Sequence, residues 1–338
     1  MKYDDPIYGS VEIDEPILLD LMNSTAMQRL HLVLQHGISA LIGLTTPITR
    51  FQHSLGAMLI VRRLGGSVKE QIAAMLHDVS HTAFSHVIDH VVDNPHDQSY
   101  HDVKKAEYVA KTDLPAILAA HGYDWTDFLD EAAYPLLEQP SPHLCADRID
   151  YCLRDGEGLG LATVDEIADF LPQMCLVDSL PQRSTRNSGD RIVLKTLQSA
   201  QWLADIYLKS DDKSWSNFYE VGIYELTARA IKTGLRVGAI TEADFWGTDA
   251  KVWQKLHAFA DDTLQKELGM VSPETEIVWD DENPDFIIRT KIRAIDPDVL
   301  GDDGVIRPLT NLDPIFARRR TDYLKRKQTE WHMRAISK

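Results

Sequence analysis

The chain is poor in cysteine and has no long hydrophobic run. Its 3 cysteines, Cys145, Cys152 and Cys175, form no CxxC pair, and their number is odd. Scattered thiols of this kind are typical of a reducing compartment and argue against a disulfide framework. No apolar stretch approaches the roughly 20 residues of a membrane span, and the opening MKYDDPIYGS contains no hydrophobic signal region. We therefore expect a cytoplasmic protein without membrane contact.

Positive charge is also scarce. The 35 Lys and Arg residues face 52 Asp and Glu residues, which gives a net charge of −17. A nucleic-acid backbone is therefore not the expected partner of the whole surface. The exception is the tail Phe316–Lys338, with eight basic residues against two acids. Such a tail is typical of a solvated helix face, and a local contact with nucleic acid is the alternative.

Hydrophobic periodicity predicts a mainly α-helical protein that is long enough to bury a large core. Capping residues and glycines set the predicted ends of these helices. They are expected over Ser24–Gly37, Ser54–Leu64, Val68–His77, Leu136–Asp155, Asp165–Leu171 and, with breaks near Ser210–Ser216 and Gly238, Leu197–Leu268.

Strand patterns are few and short. Ile7–Ile13 alternates like a strand, and two apolar runs flank the polar Arg183–Gly189 as in a β-hairpin. After Met270 the stretch EIVWDDENPDFIIRTKIRAIDP suggests two more strands. We therefore predict a helical core over residues 1–275 and a short α+β C-terminal extension over residues 276–338.

Histidines are concentrated beside carboxylates. Six of the 13 histidines lie between His77 and His101. His53, the pair His77-Asp78 and Asp147 fall in order on successive predicted helices. Two imidazoles and two carboxylates suit a divalent ion that keeps open positions for water. The alternative, a buried ion-pair network, would be costly to desolvate.

These residues resemble the H…HD…D signature of the HD-domain phosphohydrolases. The resemblance is strongest to the deoxynucleoside triphosphate (dNTP) triphosphohydrolases, in the sterile-alpha-motif/HD branch and its bacterial relatives. The blocks that carry it are, in order, DPIYGSVEI, MQRLHLVLQHG, RFQHSLG, LHDVSHTAFSH and DRIDYCLRD. It implies an HD-domain helical core, a nucleotide substrate and a homo-oligomer. It also implies a divalent metal ion (Mg, Mn, Fe, Co or Zn) on His53, His77, Asp78 and Asp147.

The resemblance also assigns roles to residues near the metal ligands. Arg50 and Arg148, with His81, are expected to bind phosphate, although either arginine could instead form an ordinary salt bridge. His86, held by Asp89 at i, i+3, is expected to protonate the departing 5′-oxygen. His101 matches a further active-site histidine, and a surface histidine is the alternative.

The sugar is expected to contact Gln35, Tyr151 and Asp155, with Tyr151 as a plain core residue in the alternative interpretation. Two departures from the family pattern are visible. HDVSHTA has Ser80 and Thr82 where the family has glycines, and His36 replaces the leucine that packs against the sugar. Because an imidazole can hydrogen-bond to a 2′-hydroxyl, we expect a weaker preference for deoxyribose.

The predicted reaction is hydrolysis of a dNTP to deoxynucleoside and triphosphate. The first alternative is a nucleotidase or phosphatase acting on mono- or diphosphates, because the ligand set does not dictate which phosphorus is attacked. The second is a regulatory, nucleic-acid-binding protein built on a catalytically silent HD fold.

Overall fold

The computed structural model describes residues 1–92, 99–178 and 190–336. This part of the chain is mainly α-helical, as predicted. Its α-helices are α1 (Pro16–Met22), α2 (Thr25–Arg29), α3 (Gly37–Leu41), α4 (Arg50–Arg63), α5 (Val68–Leu76), α6 (Val87–Val91), α7 (Tyr100–Val109), α8 (Leu114–Ala120), α9 (Ala146–Gly158), α10 (Val164–Phe170), α11 (Leu197–Ser210), α12 (Phe218–Val237), α13 (Asp249–Ala258), α14 (Asp262–Gly269), α15 (Leu309–Leu312) and α16 (Pro314–Lys327). Among the described residues, no helix has the length and apolar character to cross a membrane.

The strands within the described ranges form three small sheets. They are β1 (Lys2–Asp5), β2 (Gly9–Glu12), β3 (Met174–Asp178), β4 (Asp190–Leu194), β5 (Glu276–Trp279), β6 (Phe286–Ile288), β7 (Asp298–Leu300), β8 (Ile306–Pro308) and β9 (Trp331–Ile336). β1 and β2 form one hairpin, and the other sheets have the orders β3-β4-β7-β8 and β5-β9-β6.

The predicted hairpin is confirmed as the antiparallel pair β3 and β4, and its tip, Arg183–Gly189, lies outside the described residues. The two strands predicted after Met270 are β5 and β6, but they do not pair with each other. β9 lies between them and pairs with both. The basic tail therefore contains the strand at the centre of this sheet. The interpretation of the tail as a solvated helix face did not predict that strand.

Helix α4 is the centre of the core and begins four residues earlier than predicted. Thr49 and Gln52 form a capping box, which places the helix start at Arg50. The helix packs between α5 and α9. Gly56 permits the close approach of α9, because a Cβ atom there would lie 1.8 Å from Asp150 Oδ1.

Two other predicted helix ends were wrong. The helix expected over Ser24–Gly37 stops at Arg29, because residues 33–35 are drawn into an extended segment that bridges Leu34 to Thr49. Gly37 starts α3 instead, with φ +47°, and a Cβ atom there would lie 2.3 Å from the carbonyl oxygen of Phe84. α9 starts at Ala146 rather than Leu136, because prolines interrupt the preceding residues.

The C-terminal extension packs on the remainder of the chain. Val299, Leu309 and Phe316 join the same hydrophobic cluster as the α4, α5, α9 and α11 side chains. The basic residues of α16 pair with acids at the end of α11, as in the 2.8 Å contact of Lys327 with buried Asp211. The boundary predicted at residue 275 stays a prediction.

Candidate functional site

Three predicted metal ligands meet at the bottom of a cleft of about 380 Å³. His53 comes from the first turn of α4, His77 follows the last residue of α5, and Asp147 lies in the first turn of α9. The Nε2 atoms of the two histidines are 3.2 Å apart, and Asp147 Oδ1 lies 2.9 Å from the Nε2 of His53 and 3.5 Å from that of His77. We call these residues the ligand trio.

The hydrogen bonds behind the trio determine what its nitrogens can do. His53 Nδ1 donates to Asp150 Oδ2 at 2.7 Å, and His77 Nδ1 donates to the carbonyl of Ala74 at 2.7 Å. Because both acceptors lack protons, the neutral rings carry their hydrogens on Nδ1 and turn two Nε2 lone pairs toward each other. A cation between them removes this repulsion, and a second partner on the far nitrogen is typical of metal-binding histidines. The residues therefore fit a divalent metal ion.

The pKa shifts agree with a site made for positive charge. Burial by itself lowers the pKa of His77, but Asp78 and Asp147 outweigh it and raise this pKa to about 10. The pKa of Asp147 is lowered despite burial, because His53 and His77 stabilise its carboxylate. A bound metal ion would displace any proton on the two Nε2 atoms.

Asp78 lies beside the trio rather than within it. Its carboxylate is 3.5 Å from the Nε2 atoms of both His53 and His77, and its closest partner is Arg50, at 2.6 Å. His81 Nε2 approaches Asp78 at 3.3 Å, and Asp78, His81 and His101 also form a group with metal-binding potential. The structure thus brings all four predicted ligands together, with Asp78 shared between the trio and Arg50.

The two predicted phosphate-binding arginines are already engaged by protein groups. Besides Asp78, Arg50 donates to Ser85 Oγ at 3.1 Å and to the carbonyl of Gln35 at 3.3 Å. Arg148 donates to the carbonyl oxygens of Gln139 and His143 and to Glu138. The salt-bridge alternative thus describes what both guanidinium groups do in this structure.

The predicted acid residues gather on the wall next to Asp78. His86 Nδ1 bonds Asp89 Oδ2 at 3.0 Å, and the rings of His81 and His101 stack with centroids 3.7 Å apart. Asp89 by itself would raise the pKa of His86. Burial, the largest effect, outweighs Asp89, and the pKa of His86 is lowered.

A strained turn carries His86 into the cleft. Phe84 and Ser85 have φ of 61° and 50°, although neither is a glycine, whereas Ser80 and Thr82 do not need positive φ. Asp249 holds the turn by accepting a hydrogen bond from the Phe84 amide at 2.8 Å. Non-glycine residues with positive φ cost energy and are found preferentially at functional sites.

The predicted sugar contacts also line the cleft. His36 Nε2 pairs with Asp155 Oδ1 at 2.7 Å, and the other oxygen of Asp155 accepts from Trp215 Nε1 at 2.5 Å. Tyr151 bonds Tyr207 through their hydroxyl groups at 2.6 Å. The buried Oε1 of Gln35 accepts no hydrogen bond within the described part of the chain. This amide oxygen is therefore available to a ligand.

Sequence reasoning missed the residues that hold His53 in place. Asp150 is fully buried and bonds Arg154 Nε, and Arg154 in turn donates to Asp5 Oδ2 at 2.8 Å. A signal was present, because Asp147, Asp150 and Arg154 are spaced to share one face of α9. The DPIYGSVEI block thus supports the site from behind through Asp5.

Sequence reasoning also missed a wall of the cleft. Residues 288–294, which begin with the last residue of β6, line it, and they carry the alternating cations Arg289, Lys291 and Arg293. The sequence RTKIR contains that alternation, but it begins 134 residues after the last HD-type block ends at Asp155. Only the folded chain brings this segment to the ligand trio.

Comparison with known proteins identifies the family. The HD domain family model matches residues 50–155. The metal-dependent phosphohydrolase cns2 of Cordyceps militaris is 37% identical over 323 residues, which cover 95% of this chain and 91% of that protein. The uncharacterized protein YdhJ of Bacillus subtilis is 38% identical over 308 residues, 91% of each. The chain therefore belongs to the HD-domain metal-dependent phosphohydrolases, as the resemblance implied.

Solved structures agree on the fold. A phosphohydrolase from Bacteroides thetaiotaomicron superimposes with a TM-score of 0.65 at 18% identity, over 93% of this chain and 94% of that one.

A sequence relative with a known substrate class matches only in part. The deoxynucleoside triphosphate triphosphohydrolase SAMHD1 of Danio rerio is 29% identical over 142 residues, 36% of this chain and 23% of that protein. The family and its divalent metal ion are therefore shown by the cns2 and HD-domain matches. The match to the dNTP hydrolase, in contrast, covers only part of each chain.

Proposed function

We propose that this phosphohydrolase acts on nucleotides and converts a dNTP and water into deoxynucleoside and triphosphate. The observation that carries the proposal is the arrangement of one cleft. The ligand trio, the histidines His86 and His101, and the residues Gln35, His36 and Asp155 all line it. A phosphate ester bound at the trio would therefore have both an acid and groups for a sugar within the same cleft.

His53, His77 and Asp147, with Asp78, would hold the metal ion. When bound, such an ion polarises a phosphoryl oxygen and lowers the pKa of a coordinated water. Asp150 and the Ala74 carbonyl keep both imidazoles oriented. Little reorganisation is then needed as charge develops in the transition state.

His86 is the proposed general acid. Asp89 holds its Nδ1, which leaves Nε2 to give a proton to the departing 5′-oxygen. Burial lowers the pKa of His86, which makes its protonated form a stronger acid. An anionic substrate beside the ring would favour that protonated form before the bond breaks.

The sugar side bears on selectivity for deoxyribose. His36 is held by Asp155 through Nε2, so its remaining nitrogen, Nδ1, is the one that could meet a 2′-hydroxyl. An imidazole in place of an apolar leucine accepts a ribose more readily. We propose that dNTPs are preferred over NTPs by a smaller factor than an apolar residue would give.

A second candidate is a phosphatase acting on nucleoside monophosphates or diphosphates. The observation in its favour is that Arg50 and Arg148 are both engaged by protein acceptors. A cleft in which these cations are already paired is better matched to a substrate with fewer phosphates than a triphosphate.

A product assay distinguishes the two candidates. The full-length protein loaded with Mg, Mn, Fe or Co is incubated with each of the four dNTPs, the four NTPs and their monophosphates, and the phosphate products are separated by anion-exchange chromatography. Intact triphosphate with deoxynucleoside is the expected result. Orthophosphate with a nucleoside or a shorter nucleotide would instead identify the second candidate.

A further inference from the structure

The segment that follows β6 lines the cleft and is fixed in place by hydrogen bonds. Thr290 Oγ1 bonds Ser216 Oγ at 2.8 Å, and the carbonyl of Arg293 accepts from Tyr323 at 2.9 Å. The carbonyl of Ala294 accepts from Ser141 Oγ at 2.9 Å. Three separate parts of the chain therefore position residues 290–294, although these residues form no helix or strand.

Two cations of this segment lie in the electrostatic field of the proposed catalytic groups. Lys291 interacts with Asp147 of the trio and with Glu138 and Asp102. Arg293 influences the pKa values of His86 and Tyr224. The charges of both cations are therefore felt by groups that line the cleft.

Lys291 differs from the other cations that line the cleft. Arg50 and Arg148 bond to protein acceptors, and Arg289 pairs with Glu330 at 3.1 Å. Within the described ranges, Lys291 forms no hydrogen bond or ion pair, and its side chain is exposed to solvent. An ammonium group in this position is accessible to an anion that enters the cleft.

The charge environment favours such an anion. Although Lys291 is exposed, partial desolvation of its ammonium group is the largest effect that lowers its pKa, and Arg293 lowers this pKa further, while Asp147, Glu138 and Asp102 raise it. Two like charges kept close repel each other unless an anion lies between them. Phosphate oxygens, which bind both lysine and arginine, have the required chemistry.

We propose that Lys291, with Arg293 beside it, binds the phosphate groups of the substrate and so supplies positive charge that Arg50 and Arg148 give to protein partners. This inference rests on the proposed nucleotide substrate, and it assigns a substrate-binding role to the C-terminal extension. The HD-type blocks and Lys291 would then act on the same phosphate chain.

The test measures binding separately from turnover. Titration calorimetry follows binding of the magnesium complex of inorganic tripolyphosphate, which contains no nucleoside, to the metal-loaded full-length protein. We expect Lys291→Met to weaken binding by roughly tenfold or more, and Lys291→Arg to restore most of it. Arg289→Met is the matched control, because it removes an exposed cation of the same segment that is paired with Glu330, and it should change binding by less than about twofold.

Kinetics and metal content complete the test. In nucleotide hydrolysis, Lys291→Met and Arg293→Met should raise KM by more than they lower kcat, with metal content equal to that of the wild type. Wild-type protein that does not bind tripolyphosphate, or equal affinity in Lys291→Met and wild type, would overturn the inference. Tripolyphosphate binding that depends on Lys291, in a protein that hydrolyses no nucleotide, would refute the proposed function and leave this inference standing.

Discussion

His53 and Lys291 line the same cleft, but the structure holds them in different ways. His53 is buried, and a chain of charged groups through Asp150 and Arg154 to Asp5 fixes its ring. Lys291 is exposed, and only the backbone and neighbours of its segment are fixed. The first arrangement suits a metal ligand, which must not move, and the second suits a cation that meets a flexible phosphate chain. Substitutions near His53 should therefore reduce metal binding, whereas substitutions at Lys291 should reduce phosphate binding.

The largest effect is expected at the ligand trio. His77→Ala should remove both bound metal and turnover, because it deletes one of three converging donors, while the helical fold remains. Elemental analysis, circular dichroism and an activity assay measure these three properties. Full activity of wild-type protein after chelation to a metal-free state would contradict the assignment of the site.

His86→Ala tests the acid wall. Loss of a positioned proton donor should slow turnover by roughly 10²–10⁴ while metal content stays near that of the wild type. Asp89→Asn should slow turnover by a smaller factor and shift the pH dependence of the rate, because it alters the partner of His86 without removing the imidazole ring. Wild-type rates for His86→Ala across the pH range would remove this residue from the mechanism.

Asp150→Asn tests the support behind His53. The substitution keeps the size of the side chain but weakens its hold on His53 Nδ1, and changes at such supporting positions typically reduce metal affinity by about 10–100-fold. Competition with a fluorescent chelator measures this affinity. Asp165→Asn, on the exposed part of α10, is the control and should have the affinity of the wild type. A normal affinity in Asp150→Asn would show that the charged chain does not position the ligand.

The smallest effect is expected at the sugar wall and depends on pH. Burial by itself lowers the pKa of His36, but Asp155 outweighs it and raises this pKa above the usual 6.5. The folded state then binds the proton more tightly than the unfolded state. The stabilisation is complete below about pH 6.5 and is lost as pH rises through the folded-state pKa.

Thermal unfolding from pH 5.5 to 9 measures this contribution. The difference in Tm between wild type and His36→Gln should shrink as pH rises. His121→Gln is the matched control, because its pair with Asp20 lies at the surface, where such pairs contribute little. A difference that is constant with pH would show that the His36–Asp155 pair does not stabilise the fold through its charge.

Local sequence patterns predicted several features of this protein. The helical class, the β3–β4 hairpin and the convergence of His53, His77, Asp78 and Asp147 follow from periodicity and from short motifs. These signals are local because a helix period and a capping box depend on residues a few positions apart. The same reasoning places Asp89 within reach of His86.

Tertiary contacts decided the rest. The start of α3 at Gly37 and the turn at Phe84 depend on each other across the chain, and no local propensity predicts φ of 61° at a phenylalanine. Arg50 was predicted to bind phosphate or to form an ordinary salt bridge, and the fold places it 2.6 Å from Asp78, a distance at which two buried opposite charges pair. Lys291 reaches the cleft because β6 pairs with β9 and the following segment is fixed by Ser216 and Ser141. Contacts between residues so far apart in sequence exist only in the folded chain, so motif spacing revealed the metal site but not the cations that complete the cleft.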